Sequence, residues 1–77
     1  MKEYRNELGE YHRTDGPAIE DSYSKEWYIN GKRHREDGPA IEWSNGDKVW
    51  YLNGVSYSEE EFHQEVIKLK LKRIVNL

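Results

Sequence analysis

Residues 34–54 read HREDGPAIEWSNGDKVWYLNG, and residues 12–31 read HRTDGPAIEDSYSKEWYING. The two stretches agree at His-Arg, at Asp-Gly-Pro-Ala-Ile-Glu, at Trp-Tyr and at Asn-Gly, which makes them copies of one repeat. His12 to His34 is a step of 22 residues, and Trp27 to Trp50 a step of 23. The extra residue falls where Asp21–Lys25 is replaced by Trp43–Lys48. A half copy precedes them, with Tyr4, Asn6, Gly9, His12 and Arg13 matching Tyr28, Asn30, Gly31, His34 and Arg35. Another half copy, Trp50 to Gly54, follows and breaks off.

Each unit is predicted to be a β-hairpin. In the second, Pro39–Ser44 is one strand, Asn45-Gly46 a two-residue type I′ turn with φ > 0 at both positions, and Asp47–Asn53 the return strand. That turn pairs Trp43 with Lys48, Ile41 with Trp50 and Pro39 with Leu52. Strand side chains alternate, so these share one face, and Ala40, Glu42, Val49 and Tyr51 lie on the other. Ile19, Trp27 and Ile29 take the equivalent apolar face in the first unit. One hairpin cannot bury such a face, but stacked hairpins cover one another. Asn30-Gly31 and Asn53-Gly54 turn the chain from one hairpin toward the next. Asp15-Gly16-Pro17 and Asp37-Gly38-Pro39 read as tight turns, each proline opening a strand where its missing N–H matters least. His12-Arg13 and His34-Arg35 stand within reach of the Asp15 and Asp37 carboxylates.

The stretch Trp27-Tyr28-Ile29-Asn30-Gly31-Lys32-Arg33-His34, continued by Arg35 and Asp37-Gly38-Pro39-Ala40, resembles the core of MORN-type repeats. The variant it is similar to has tandem WYxNGxxHRxDGPA units in small phage and bacterial proteins. The resemblance covers residues 4–57. It implies a meandering antiparallel sheet, a binding scaffold and no catalytic residue set. The chain departs from the pattern in its shortness. It also departs at Tyr57-Ser58-Glu59-Glu60-Glu61, which stands where a third HRxDGPA would begin.

That departure reads as a helix start. Ser58 and Glu61 have capping-box spacing, and Glu59–Glu61 suit the positive end of a helix dipole. Helix is expected from Glu59 to about Arg73, although Lys68-Leu69-Lys70-Leu71-Lys72 also alternates like a strand. On a helix, Phe62, Val66 and Leu69 form one stripe that caps the hairpins. Ile67, Leu71 and Ile74 form a second stripe with no evident cover.

The 77 residues suggest a single domain, with hairpin repeats over 1–57 and a capping helix over 58–77. Cysteine is absent, so disulfides are excluded, and no cysteine–histidine cluster suggests zinc. Aromatic residues make up 13% of the chain, which argues for a folded state. The net charge of −3 does not favour general nucleic-acid binding. Without a signal-like or membrane-spanning apolar run, a cytoplasmic location is expected.

His12 with Asp15 and His34 with Asp37 have the makings of acid–base pairs, but their repetition marks them as scaffold. The same holds for Arg13, Gly16, Pro17, Trp27, Asn30, Gly31, Arg35, Gly38, Pro39, Trp50, Asn53 and Gly54. His63 has no second ligand at metal spacing. No nucleophile elbow or phosphate-binding glycine loop is present. The expectation is therefore an α+β scaffold without cofactor, metal or enzyme activity that binds a protein partner. Ile67, Leu71 and Ile74, rimmed by Lys68 and Lys70, are the expected contact residues, with homo-oligomerisation as another use of the same stripe. The resemblance sharpens the partner to a host protein inhibited or modulated by a phage-type, anti-defence (anti-CRISPR-like) factor. The alternative is an anionic ligand or surface, lipid or nucleic acid, met by Lys68–Arg73.

Overall fold

The computed structural model describes residues 1–75. The elements in chain order are β1 (Lys2–Glu3), β2 (Ile19–Glu20), β3 (Ser24–Glu26), β4 (Tyr28–Ile29), β5 (Lys32–Arg33), β6 (Ile41–Trp43), β7 (Lys48–Leu52), β8 (Val55–Tyr57) and α1 (Glu59–Val75). One sheet has the order β1-β2-β3-β6-β7-β8, and β4 with β5 forms a separate hairpin. Every ladder is antiparallel. The architecture is the expected α+β one, a hairpin meander closed by a terminal helix.

Turn chemistry sets the register, and it corrects part of the sequence reading. Asn30 (φ 48°) with Gly31 (φ 81°), and Asn53 (φ 51°) with Gly54 (φ 83°), are left-handed at both positions. They close Ile29↔Lys32 and Leu52↔Val55 as two-residue type I′ turns. Asn45-Gly46 does not. Trp43 N–H donates to the Asp47 carbonyl at 2.9 Å and Gly46 N–H to the Trp43 carbonyl at 3.0 Å. Only Gly46 is left-handed there, at φ 96°. Ser44, Asn45 and Gly46 thus form a three-residue loop of the kind in which a type I turn ends on a left-handed glycine. Asn45 Oδ1 accepts from Asp47 N–H at 2.9 Å, which favours that loop over a type I′ turn. The register is therefore one residue off the expected one: Ile41 pairs with Val49, not Trp50, and Glu42 with Lys48. Ile41 shares a side with Val49, so the six side chains expected on one face are split between two.

The first hairpin has a shorter tip. Asp21 N–H bonds the Ser24 carbonyl at 3.0 Å around Ser22-Tyr23. Tip length thus accounts for the step of 23 against 22. Both units carry a bulge at the same place. Ala40 N–H donates to Val49 (2.9 Å) while Ile41 is Val49's partner, and Ala18 N–H donates to Glu26 (2.8 Å) while Ile19 is Glu26's partner. Two residues oppose one, which bends each strand just after its proline. Ala18 and Ala40 are wholly buried there.

The amino-terminal half unit is also offset by one from the sequence alignment. Tyr4 takes the place of Trp27, not Tyr28: its carbonyl accepts from His12 N–H at 3.0 Å as that of Trp27 does from His34 N–H at 3.0 Å. A longer loop, Glu7-Leu8-Gly9, then replaces Asn30-Gly31 between the paired ends.

The helix is capped as expected. Glu61 N–H donates to Ser58 Oγ at 3.2 Å, and Ser58 N–H donates to Glu61 Oε1 at 3.3 Å. Phe62 and Val66 bury against Leu52, with Trp50, Tyr57 and Leu69 packed around them. This i, i+4, i+7 contact resolves the ambiguity of Lys68–Lys72 in favour of helix, which continues through Val75. The last two positions of the segment expected over 58–77 lie outside the described residues.

Turn geometry predicts unequal substitutions. Asn53→Val forces a β-branched residue into the left-handed region and should lower stability by about 2 kcal/mol. Asn45→Val loses two exposed side-chain hydrogen bonds to Asp47 and meets no left-handed backbone, which should cost about 1 kcal/mol. Urea denaturation of the two variants checks this order.

Candidate partner-binding surface

The repeated His-Arg-x-Asp-Gly-Pro segment is a set of stacks and clamps. The Arg35 guanidinium carbon lies 3.8 Å from the Trp27 ring centroid. Its other face abuts Gly38, where a Cβ would sit 2.9 Å from Arg35 Cζ. Arg35 Nε donates to Asp37 at 3.0 Å, and its Nη1 donates to the Pro39 carbonyl at 3.1 Å and to Glu42 at 3.0 Å. Arg13 repeats the design, with Tyr4 at 4.1 Å, Gly16 beneath, Asp15 at 2.9 Å and the Pro17 carbonyl at 3.2 Å. Gly16 and Gly38 are required for this close approach; neither has a positive φ.

The histidines do not pair with these aspartates, as the sequence had suggested. His12 Nδ1 accepts from Asn30 N–H and His34 Nδ1 from Asn53 N–H, each at 3.0 Å. Each histidine therefore ties the start of its unit to the left-handed turn at the end of the same unit. With Nδ1 accepting, His34 Nε2 carries the proton and donates to Glu36 at 3.1 Å. The acid–base dyads are not assembled, because arginine takes the aspartates.

Glu36 was missed by sequence reasoning. It stands at the variable position of the motif, where unit one has Thr14, and that difference was the available signal. Arg73, at the far end of α1, clamps it with two bonds of 2.7 and 2.6 Å. That clamp, with a lesser contribution from the His34 bond, holds the Glu36 carboxyl at about 2 instead of 4.5.

On the outer side of α1, Ile67, Leu71 and Ile74 are 57%, 56% and 64% exposed. Lys68 pairs with Glu65 at 3.2 Å, whereas Lys70 and Lys72 have no ion pair among the described residues. Beside the helix lies an open cleft of about 780 Å³, with Trp27, Ile29 and Arg13 among its lining and Lys70 on its α1 side. Trp50 is half-buried against Leu52, Phe62 and Val66, whereas Trp27 lines the cleft. Trp43, at the second hairpin tip, is 43% exposed. Elsewhere Arg33 lies between Tyr28 and Tyr51, at 5.6 and 5.5 Å from their ring centroids. Burial, then the nearby Glu26 charge, raises the Tyr28 phenol.

No protein-family model matches the chain, and no curated protein or solved structure is significantly similar to it. Among the described residues no group of three or more His, Asp or Glu is arranged to hold a metal ion. No helix there is long and apolar enough to cross a membrane.

Two outcomes follow from these clamps. Gly38→Ala pushes a methyl into a guanidinium already fixed by three bonds and should destabilise by about 1–3 kcal/mol, read by thermal unfolding. The Glu36–Arg73 clamp should be intact above about pH 4.5 and be lost as pH falls toward about 2, since the folded-state value is the depressed one. NMR of the 70–75 amides should show the helix end loosening across that window, and Glu36→Gln should show it loose throughout.

Proposed function

We propose that the chain is a non-catalytic protein-binding module whose contact surface is the outer face of α1 and the ground beside it. The observation that carries this reading is the exposure of Ile67, Leu71 and Ile74 on a helix whose other stripe is already docked. An apolar cluster of this kind on a small chain marks an interaction site. The repeated polar residues support the same reading, because their hydrogen bonds are spent on holding the hairpins together. Within this class we favour an inhibitor or modulator of a host protein, acting in the cytoplasm as an anti-defence factor. Its support is the similarity of the WYxNGxxHRxDGPA units to small phage proteins. Anionic-surface binding through Lys68–Arg73 is the weaker reading, because Arg73 and Lys68 are engaged by Glu36 and Glu65.

Changing Leu71 and Ile74 together to Ser should leave the circular dichroism spectrum and the melting transition within error of wild type. It should abolish capture of the partner, or self-association in sedimentation. A double variant that stays folded and keeps every association would remove α1 from the function.

A further inference from the structure

Unit two shows what the hairpin face accepts. Trp50 and Leu52 carry Phe62, Val66 and Leu69 of the chain's own helix. Unit one presents the equivalent pair, Trp27 and Ile29, as cleft lining with Lys70 on the α1 side. Between β4, which bears Ile29, and the end of β7 lies β5 with the residues after it: Ile29 pairs with Lys32, Arg35 N–H bonds the Tyr51 carbonyl and Gly54 N–H the Arg33 carbonyl. Two strand spacings amount to about 9.5 Å. Packed helices lie about 8–10 Å apart. A second helix seated on Trp27 and Ile29 would therefore lie in side-by-side contact with α1.

The α1 wall it would meet is apolar and basic, and the carboxylates lining the cleft, Asp15, Glu36 and Asp37, are paired with Arg13, Arg73 and Arg35. At about 100° per residue, Ile67 and Ile74 fall within about 60° of Lys70 on the helix surface. Both isoleucines are exposed, and Lys70 has no ion pair among the described residues. A second copy of the chain would bring the same stripe with its own Lys68, Lys70 and Lys72, placing like charges together. Acidic flanks satisfy the wall. Thr14 replaces Glu36 in unit one, so the arginine clamp that seats α1 on unit two has no counterpart there. The occupant is thus held by apolar contact and by Lys70, not by an arginine of its own.

We propose that the Trp27–Ile29 cleft and the Ile67–Lys70–Ile74 wall of α1 dock an amphipathic helix of a partner protein whose apolar stripe is flanked by Asp or Glu. This rests on the partner-binding reading and specifies its chemistry.

The probe is a designed helical peptide with Leu at i, i+4, i+7 and i+11 and glutamates beside that stripe, compared with its lysine-flanked twin. Binding to the full chain is followed by NMR at the Trp27 indole N–H and the Ile29 methyls. The glutamate peptide should shift both signals and bind at least tenfold tighter than the lysine peptide. Lys70→Glu, an exposed substitution, should reverse the preference, and Ile29→Ser should weaken binding at least tenfold with the circular dichroism spectrum retained. Equal affinity for both peptides, unmoved Trp27 and Ile29 signals, or concentration-dependent dimerisation that buries Trp27 would overturn the proposal. A natural partner lost with Leu71→Ser/Ile74→Ser but kept by Ile29→Ser would overturn the cleft alone and leave the partner-binding reading intact. A partner kept by both variants would overturn both.

Discussion

The fold depends on a guanidinium held between an aromatic ring and a glycine. Arg35 sits on Trp27 and against Gly38, and Arg13 sits on Tyr4 and against Gly16. The need for the stack follows from how little apolar side chain this chain buries. Among the described residues, buried hydrophobics are Ala18, Ala40, Ile41, Leu52, Phe62 and Val66. Two of these are alanines, and a chain this short starts near the margin of stability. Cation–π contact and charge-assisted hydrogen bonds supply part of what a larger core would. They also fix the chain direction between hairpins, because the same arginine grips the carbonyl that precedes the bulge.

The stack has a structural consequence for function. A single meander with principal extents of 40 × 32 × 18 Å has room for one sheet layer and one helix layer. The helix covers unit two and stops there, pinned by Arg73 to Glu36. Unit one keeps the same aromatic floor without the helix. The exposed stripe of α1 and the open floor beside it are thus both products of a repeat scaffold with fewer helices than hairpin faces. The Nδ1 atoms of His12 and His34 are committed to the left-handed turns that close their own units.

Much of this was legible in the sequence where a residue's local chemistry decides its structure. The repeat, the hairpins, the capping box at Ser58–Glu61 and the docking of Phe62, Val66 and Leu69 on the hairpins all followed from spacing. Asn45-Gly46 was misjudged because Asn-Gly fits more than one turn. Its loop length depends on whether the asparagine side chain captures Asp47 N–H. The bulges at Ala18 and Ala40 left no signal that alternation could read, and the longer tip alone moved Ile41 opposite Val49. The role of Arg35 was placed at Asp37 correctly, but the approach of Gly38 to the guanidinium depends on three-dimensional closeness. Glu36 became visible only when α1 was seen to cross back over unit two.

If the motif is glue, Trp27 and Arg35 must stabilise the chain jointly. A double-mutant cycle with Trp27→Leu and Arg35→Met, read by urea denaturation, measures that coupling directly. A favourable coupling of about 1–2 kcal/mol is expected for a partly buried cation–π pair. Independent, additive losses would contradict the account and return these repeated residues to the list of candidates for a chemical role.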